Sequence, residues 1–470
     1  MSSAMKAAKR ILVLVLSCYI GISVLGCSSD AGQVQEEVSA KEAIPQNTAD
    51  DTSAPEKEEQ AETETETETE TVEIPILSDC VEEKMGCMAG AAVTASEIED
   101  EKVWEIITTH FNSVTFGNEL KPDALFDYSC STCPGVTTDT VNDREIEVPV
   151  LDYSRAEKML DKILAWNEAN PDRMIKVRGH VLVWHSQTPE WFFHEDYDKS
   201  KEYVDKETMN LRLEWYIKTV LTHFTGQESK YRDLFYGWDV VNEAVSDNGG
   251  KYRTDNENPS ESLSEDRHGS NSSWWHIYES EEYIINAFLY ANKYAPESLD
   301  LYYNDYNECN AVKRSGIIKL LEAVKEREGK PGEGTRISAM GMQGHYGIDN
   351  PSFSEVQSSI EAYGKVVGNV QITELDITAS SDYDGSDAAK ETEYEKQRKR
   401  YKMLYFAMDA ANQKEGVNVT GITFWGTADH YSWLQNRSNV GGGNTTGLPQ
   451  CPLLFDENYE PKPCFWVFVE

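Results

Sequence analysis

Positive charge is scarce in this chain. Lys and Arg number 43 against 82 Asp and Glu, a formal net charge of −39 over 470 residues. A surface of that sign repels phosphate, which excludes nucleic acid as a partner, whereas a neutral polysaccharide is indifferent to it. Long apolar runs are scarce as well: the stretch Ile11 to Gly26 is too short to span a bilayer comfortably, and Lys6, Lys9 and Arg10 precede it, so it reads as a signal peptide. Metal-type clusters are missing. Cys130-x-x-Cys133 has no second Cys or His pair at ligand spacing, which leaves a surface disulfide or two free thiols, and neither a metal nor a cofactor is expected. Of the nine cysteines, Cys18 and Cys27 belong to the N-terminal segment, and the remaining seven cannot all pair. Cys80 with Cys87 and Cys451 with Cys464 are possible local bridges in an exported protein.

The apolar run ends in Val24-Leu25-Gly26-Cys27, which resembles a bacterial lipobox. Residues 1–26 would then be a lipoprotein signal peptide, with Cys27 diacylated as the mature N-terminus. Residues 27–75 are rich in Glu, Thr, Ser, Gln and Ala, lack aromatic side chains, and repeat Glu-Thr five times from Glu62 to Thr71. Such a segment cannot bury enough apolar surface to fold, and its like charges extend it. It reads as a disordered tether holding a folded domain, residues 76–470, away from a membrane on the extracellular side of the cell envelope.

Within that domain, short β-rich runs recur at Ala89 to Val93, Phe111 to Phe116, Lys176 to Trp184, Leu234 to Asn242, Leu299 to Asn304, Ile337 to Gln343, Val370 to Leu375 and Gly421 to Trp425. Helical patterns separate them. One opens at Ser154-x-x-Glu157, the spacing of a capping box, and another runs from Leu211 to Leu221. Strand and helix in alternation imply parallel strands, and eight such units predict an α/β fold of the (β/α)8 barrel type. In that architecture the site lies where the strands end. Polar or aromatic groups stand at those ends: Asn118 and Lys121, His180 with Trp184, Asn242-Glu243, Asn304-Asp305, Gln343 and His345, Glu374 and Asp376, and Trp425.

Two of these residues, Glu243 and Glu374, each follow an apolar strand. Burying an ionised carboxylate is costly unless its charge is used or compensated. Two of them across a barrel mouth, without metal-type ligands, fit cleavage of a glycosidic bond, one donating a proton while the other attacks. Asn242 offers an amide to a sugar hydroxyl, and Trp184, Trp425 and Trp433 offer flat faces on which pyranose rings stack. His345 and Asp376 are placed to orient Glu374 and keep it ionised.

At this point the residues resemble a known family. Trp238-Asp239-Val240-Val241-Asn242-Glu243-Ala244, Gly341-Met342-Gln343-Gly344-His345, Thr373-Glu374-Leu375-Asp376-Ile377, Arg178-Gly179-His180 with Leu182-Val183-Trp184-His185-Ser186-Gln187, and Thr423-Phe424-Trp425-Gly426 with Tyr431-Ser432-Trp433-Leu434 look like the signature segments of family 10 glycoside hydrolases. Those are retaining endo-β-1,4-xylanases, and the resemblance covers about residues 80 to 470. It implies Glu243 as acid/base and Glu374 as nucleophile, His345 and Asp376 as supports of Glu374, and Asn242 and Gln343 as contacts to the sugar being cleaved. It further implies that Asn118, Lys121, His180, Trp184, Gln187, Trp425 and Trp433 line the subsites on the non-reducing side, with Tyr306 a candidate on the leaving-group side. Retention requires the two carboxyl groups to stand about 5.5 Å apart. The implied partners are xylan and xylo-oligosaccharides, acted on by a monomer.

The chain departs from the family in places. Gly117-Asn118-Glu119-Leu120-Lys121-Pro122 stands where Glu-Asn-x-x-Lys-Trp is usual, which puts the distal glycone subsites in doubt. Extra loop sequence runs from Phe126 to Val150, and a long acidic loop from Ser246 to Asn271. Its Asp255, Glu257, Glu261 and Asp266 lack regular calcium-ligand spacing, so a solvated loop is the expectation. Competing readings are a glycan-binding protein on an inactive barrel, and the same chemistry on a β-glucan. The anchor gives a direct test: Cys27→Ala is expected to move the protein from the membrane fraction to the soluble one, because two acyl chains suffice for stable anchoring and the acidic segment has no apolar face. Continued sedimentation with membranes would contradict the lipobox.

Overall fold

The computed structural model describes residues 74–127, 132–261, 263, 269–436 and 449–470, all within the unit Val72–Glu470. The signal peptide, Cys27, nearly all of the acidic tether, Cys130 and Asp266 lie outside the described residues. Strands form at all eight predicted places: β1 (Met88–Val93), β2 (Ser113–Phe116), β3 (Lys176–Gly179), β4 (Phe235–Asn242), β5 (Asp300–Asp305), β6 (Ala339–Met342), β7 (Asn369–Thr378) and β8 (Asn418–Phe424). Each pairs in parallel with the next, and β8 pairs with β1, so the sheet closes into a barrel. Helices fill the crossovers, among them Ser154–Ala169, Lys206–Thr225, Glu282–Tyr294, Ala311–Lys325 and Phe353–Val367. The helix Glu282–Tyr294 shows why they dock: Ile284, Ala287, Phe288 and Ala291 fall on one stripe and are buried. Among the described residues no helix is long and apolar enough to cross a membrane.

Two glycines are placed by contact. A Cβ on Gly179 would stand 2.1 Å from the Trp238 ring, and one on Gly341 would stand 2.3 Å from Asn304 Oδ1. The second matters to the site, because Asn304 needs that space to reach across the barrel. Inside the barrel Arg178 is wholly buried, doubly bonded to the Asp239 carboxylate with one contact of 2.7 Å, and lies 4.7 Å from the Tyr302 ring centroid. A buried ion of this kind persists only because a partner of opposite charge replaces its water.

Several expectations are corrected. The predicted third strand breaks after Gly179, and Val183–Trp184 forms a separate short strand on the continuation of β4. β7 runs on to Thr378, so Glu374 lies inside a strand rather than at its end; the extension exists because Asp376, Ile377 and Thr378 pair with the short strand His345–Gly347. Ser154 does not cap its helix. Asp152 accepts from the Ser154 N–H instead, and Glu157 is drawn to His223 Nε2 at 3.0 Å. Part of the presumed loop from Phe126 to Val150 is an antiparallel hairpin, Val136–Val141 with Arg144–Pro149. Its two-residue turn, Asn142-Asp143, takes φ of 51° and 61°, the left-handed pair that a tight hairpin needs and that Asn and Asp tolerate.

Neither suggested disulfide forms; the six cysteines in the described residues are free. Cys87 donates to the Val419 carbonyl at 2.8 Å, and burial pushes its thiol up to about 12. Cys451 and Cys464 are both buried beside Lys462, whose ammonium bonds both Asp429 carboxylate oxygens, at 3.1 and 2.9 Å, and the Cys451 carbonyl at 2.6 Å. Burial raises Asp429 to about 6, with Lys462 opposing the rise. Lys462→Met is therefore expected to destabilise the domain by about 3–5 kcal/mol at neutral pH, since it strands a buried carboxylate. A carboxyl raised above its unfolded pKa loses stability as pH rises, so urea midpoints of the variant should fall further behind wild type at pH 8 than at pH 5.

Candidate active site

Both glutamates open into one cleft of about 630 Å³ at the C-terminal ends of the strands. Glu243 follows β4 with φ of 56°, in the left-handed region. Its N–H donates to the Asn304 carbonyl at 2.9 Å, and the next two N–H groups, of Ala244 and Val245, donate to Tyr303 Oη at 3.0 and 3.2 Å. Its carboxylate is half-buried and receives only neutral donors among the bonds described. Trp184 Nε1 reaches Oε2 at 2.9 Å, while Gln343 Nε2 and Asn242 Nδ2 reach Oε1 at 2.9 and 3.1 Å.

Glu374 is placed by a break in register. Between Ile372 and Leu375 the pairing of β7 with β8 shifts, and inside that shift the Glu374 N–H donates to the Gln343 carbonyl at 2.7 Å. Bulges of this kind re-aim side chains next to sites. Glu374 is 4 % exposed. Asn304 Nδ2 donates to its Oε1 at 2.8 Å and His345 Nε2 to its Oε2 at 3.2 Å. His345 Nδ1 donates in turn to Asp376 at 2.9 Å, and Asp376 also accepts from Trp433 Nε1 at 2.7 Å. Burial alone would raise Glu374, but the His345 hydrogen bond, the charges of His180 and His345 and the Asn304 bond outweigh it and hold the carboxyl at about 2. Burial likewise opposes the charge on His345, yet the Asp376 and Glu374 carboxylates raise it to about 10. The imidazolium between two carboxylates is thus the local counter-ion.

One flank of the cleft is built by the segments after β2 and β3. Lys121 is buried; its ammonium donates to Gln187 Oε1 at 3.0 Å and Asn118 Oδ1 at 3.3 Å and lies 5.2 Å from the Trp184 ring centroid. Burial lowers its pKa, against the nearby carboxylates. His180 is fixed by Asp239 at 2.8 Å and meets Trp425 edge to face with centroids 5.7 Å apart. Trp184, Trp425 and Trp433 are all half-exposed and line the cleft, so core packing does not account for them. The structure brings together every predicted site residue it describes, Asp376 standing behind His345. Glu119, next to Asn118, is turned to the loop after β1, accepting from the Ala95 N–H at 2.8 Å.

Sequence reasoning passed over Arg253 and Ser270, which line the cleft beside Tyr306 together with His185, quoted above only within the segment Leu182 to Gln187. The loop also carries Lys251 and Arg267, so residue type alone did not single out Arg253. It also passed over the function of Asn304, whose Nδ2 bridges Glu374 and Asn242 Oδ1, the latter at 3.0 Å. The described acids suggested for calcium are already engaged: Asp255 with His276 on the helix that follows the loop, and, within the loop, Glu257 with Ser246 and Thr254 and Glu261 with Asn258 and Ser270. Among the described residues no three His, Cys, Asp or Glu side chains are grouped to hold a metal.

The profile of glycosyl hydrolase family 10 matches residues 77–470. The chain belongs to that family. It is 32 % identical over 400 residues to endo-1,4-beta-xylanase B of Paenibacillus barcinonensis, covering 84 % of this chain and 98 % of the relative. It is 35 % identical over 297 residues to the endo-1,4-beta-xylanase of Geobacillus stearothermophilus, covering 62 % and 76 %. Among solved structures, the Paenibacillus barcinonensis xylanase in complex with a conduramine derivative superposes with a TM-score of 0.63 at 30 % identity, over 85 % of this chain and 99 % of that one. The CBM22-1 and GH10 modules of a Clostridium thermocellum endo-1,4-beta-D-xylanase, solved together with xylohexaose, superpose with a TM-score of 0.64 at 28 % identity, over 84 % of this chain and 67 % of that one.

The counter-ion arrangement sets the pH behaviour. A carboxyl depressed from 4.5 to about 2 contributes stability above its unfolded pKa and loses it as pH falls through 2; an imidazole raised from 6.5 to about 10 contributes below 6.5 and loses it as pH rises through 10. His345→Ala removes a donor and a positive charge while Glu374 stays buried. The acid limb of kcat/KM for hydrolysis is expected to move up, past the ordinary carboxylate range. An acid limb left in place would mean that His345 does not hold Glu374 ionised.

Proposed function

We propose that this chain is an endo-β-1,4-xylanase in which Glu374 is the nucleophile and Glu243 the acid/base. The observation that carries the assignment is the asymmetry of the pair: Glu374 is buried against an imidazolium and held at about 2, whereas Glu243 is half-buried with neutral donors on both oxygens. Glu374 attacks the anomeric carbon as the bond to the leaving sugar breaks, and the oxygen of that sugar takes the Glu243 proton. The glycosyl ester so formed is opened by a water whose proton returns to Glu243, and two displacements on one carbon retain its configuration. Asn242 and Gln343 contact the sugar under attack, where hydrogen bonds strengthen as the ring gains positive charge. Asn118, Lys121, His180, Trp184, Gln187, Trp425 and Trp433 hold the glycone, with distal binding weakened because Gly117 and Pro122 replace larger side chains. The enzyme works as a monomer, carried outside the cell on the lipid at Cys27 and the acidic tether.

Alanine variants separate the two glutamates in kind. Glu374→Ala is expected to abolish turnover on every substrate, since no covalent intermediate forms. Glu243→Ala should lose xylan hydrolysis yet still release phenolate from an aryl xylobioside, with azide restoring turnover and giving a product of retained β configuration. Equal loss of both substrates in the Glu243 variant, without azide rescue, would overturn the assignment of acid/base and nucleophile. Faster sugar release from carboxymethylcellulose than from xylan by the wild type would assign a β-glucan instead.

A further inference from the structure

The loop that follows Glu243 places a guanidinium against the backbone of the residue it comes from. Arg253 is 5 % exposed. Its Nε donates to the Glu243 carbonyl at 2.9 Å, Nη1 to the Ser270 carbonyl at 3.1 Å and Nη2 to Tyr306 Oη at 3.2 Å, while its own N–H donates to the Ala244 carbonyl at 2.8 Å. One planar group thus ties together the turn carrying Glu243, the far end of the long acidic loop, and the tyrosine that follows β5. Only an arginine offers donors in that fixed fork. Burial would lower its pKa, but Tyr306 and Glu243 raise it above the usual value, so it is cationic wherever the enzyme works.

The turn needs such a restraint. Glu243 has φ of 56°, a conformation that an L-residue with a long side chain keeps only when its surroundings impose it. The backbone angles of Glu243 decide where its Cβ points, and through that where its carboxyl stands. On the other side the Ala244 and Val245 N–H groups are gripped by Tyr303 Oη, itself bonded to Asp305. The carbonyl of Glu243 is where Arg253 completes the clamp.

We propose that Arg253 is a positioning residue for proton transfer: it locks the left-handed turn that aims the Glu243 carboxyl at the glycosidic oxygen, and couples that aim to the loop bordering the leaving-group side. The proposal rests on Glu243 being the acid/base. Its consequence is selective, because a sugar leaving group needs the proton and a dinitrophenolate does not.

The test compares wild type with Arg253→Met, Arg253→Lys and Glu243→Ala on xylotetraose and on dinitrophenyl xylobioside. Active enzyme is counted by the dinitrophenolate burst, so a partly folded variant still reports a true rate. For Arg253→Met the expected result is a fall of about 100-fold in kcat on xylotetraose, with KM and the burst rate within about threefold of wild type. Arg253→Lys should fall nearly as far, since it keeps the charge and loses the fork. Equal losses on both substrates, a rise in KM with kcat kept, or full rescue by lysine would each overturn the proposal. Glu243→Ala separates the two failures: if it does not discriminate between the substrates, the acid/base reading itself falls, and if it does while Arg253→Met does not, only the role of Arg253 falls.

Discussion

A carboxylate withdrawn from water stays charged only where fixed donors and a cation replace its hydration. Glu374 meets that condition through Asn304 on one oxygen and His345 on the other. His345 in turn owes its charge to Asp376, and Asp376 is steadied by Trp433. Thr373 Oγ1 bonds Asn304 Oδ1 at 2.6 Å, which orients the amide so that its nitrogen faces the carboxylate. The chain of contacts runs through three strands, β5, β7 and the short strand His345–Gly347, and the segment after β8, so an ionised nucleophile candidate presupposes the closed barrel.

Glu243 solves a different problem with different means. An acid that gives up a proton and later takes one back cannot be bound to a permanent counter-ion at short range. The donors described on it are neutral, and a cation close by, Arg253, bonds its backbone carbonyl rather than its carboxylate. Gln343 sits between the two glutamates in both senses: its amide donates to Glu243 and its carbonyl accepts from the Glu374 N–H. Positions of the two carboxyl groups are thereby tied to one another through a single residue.

Electrostatics on the larger scale run opposite to those of the cleft. The chain as a whole carries −39, yet Lys121, His345 and Arg253 all line the cavity. A neutral sugar polymer is neither attracted nor repelled by the acidic exterior, while buried cations inside the cleft keep two carboxylates compatible with one small volume.

Much of this was legible in the sequence because it depends on local pattern. Strand and helix in alternation identify a parallel barrel, and a glutamate after each of two apolar strands identifies the carboxylate pair. What local pattern missed was set by neighbours distant in the chain. The reach of β7 past Glu374 depends on His345–Gly347 pairing beside it, the Asn142-Asp143 turn shows itself only with its hairpin, and the free state of Cys87 follows from a carbonyl on β8. Asn304 and Arg253 read as an ordinary strand-end amide and an ordinary loop cation. By itself the sequence determined the barrel and its two glutamates, since hydrophobic period and residue type suffice for both. Only the tertiary structure decided that Asn304 shares in holding Glu374 ionised and that Arg253 grips the turn of Glu243, because each rests on distances of about 3 Å between groups that no spacing along the chain brings together.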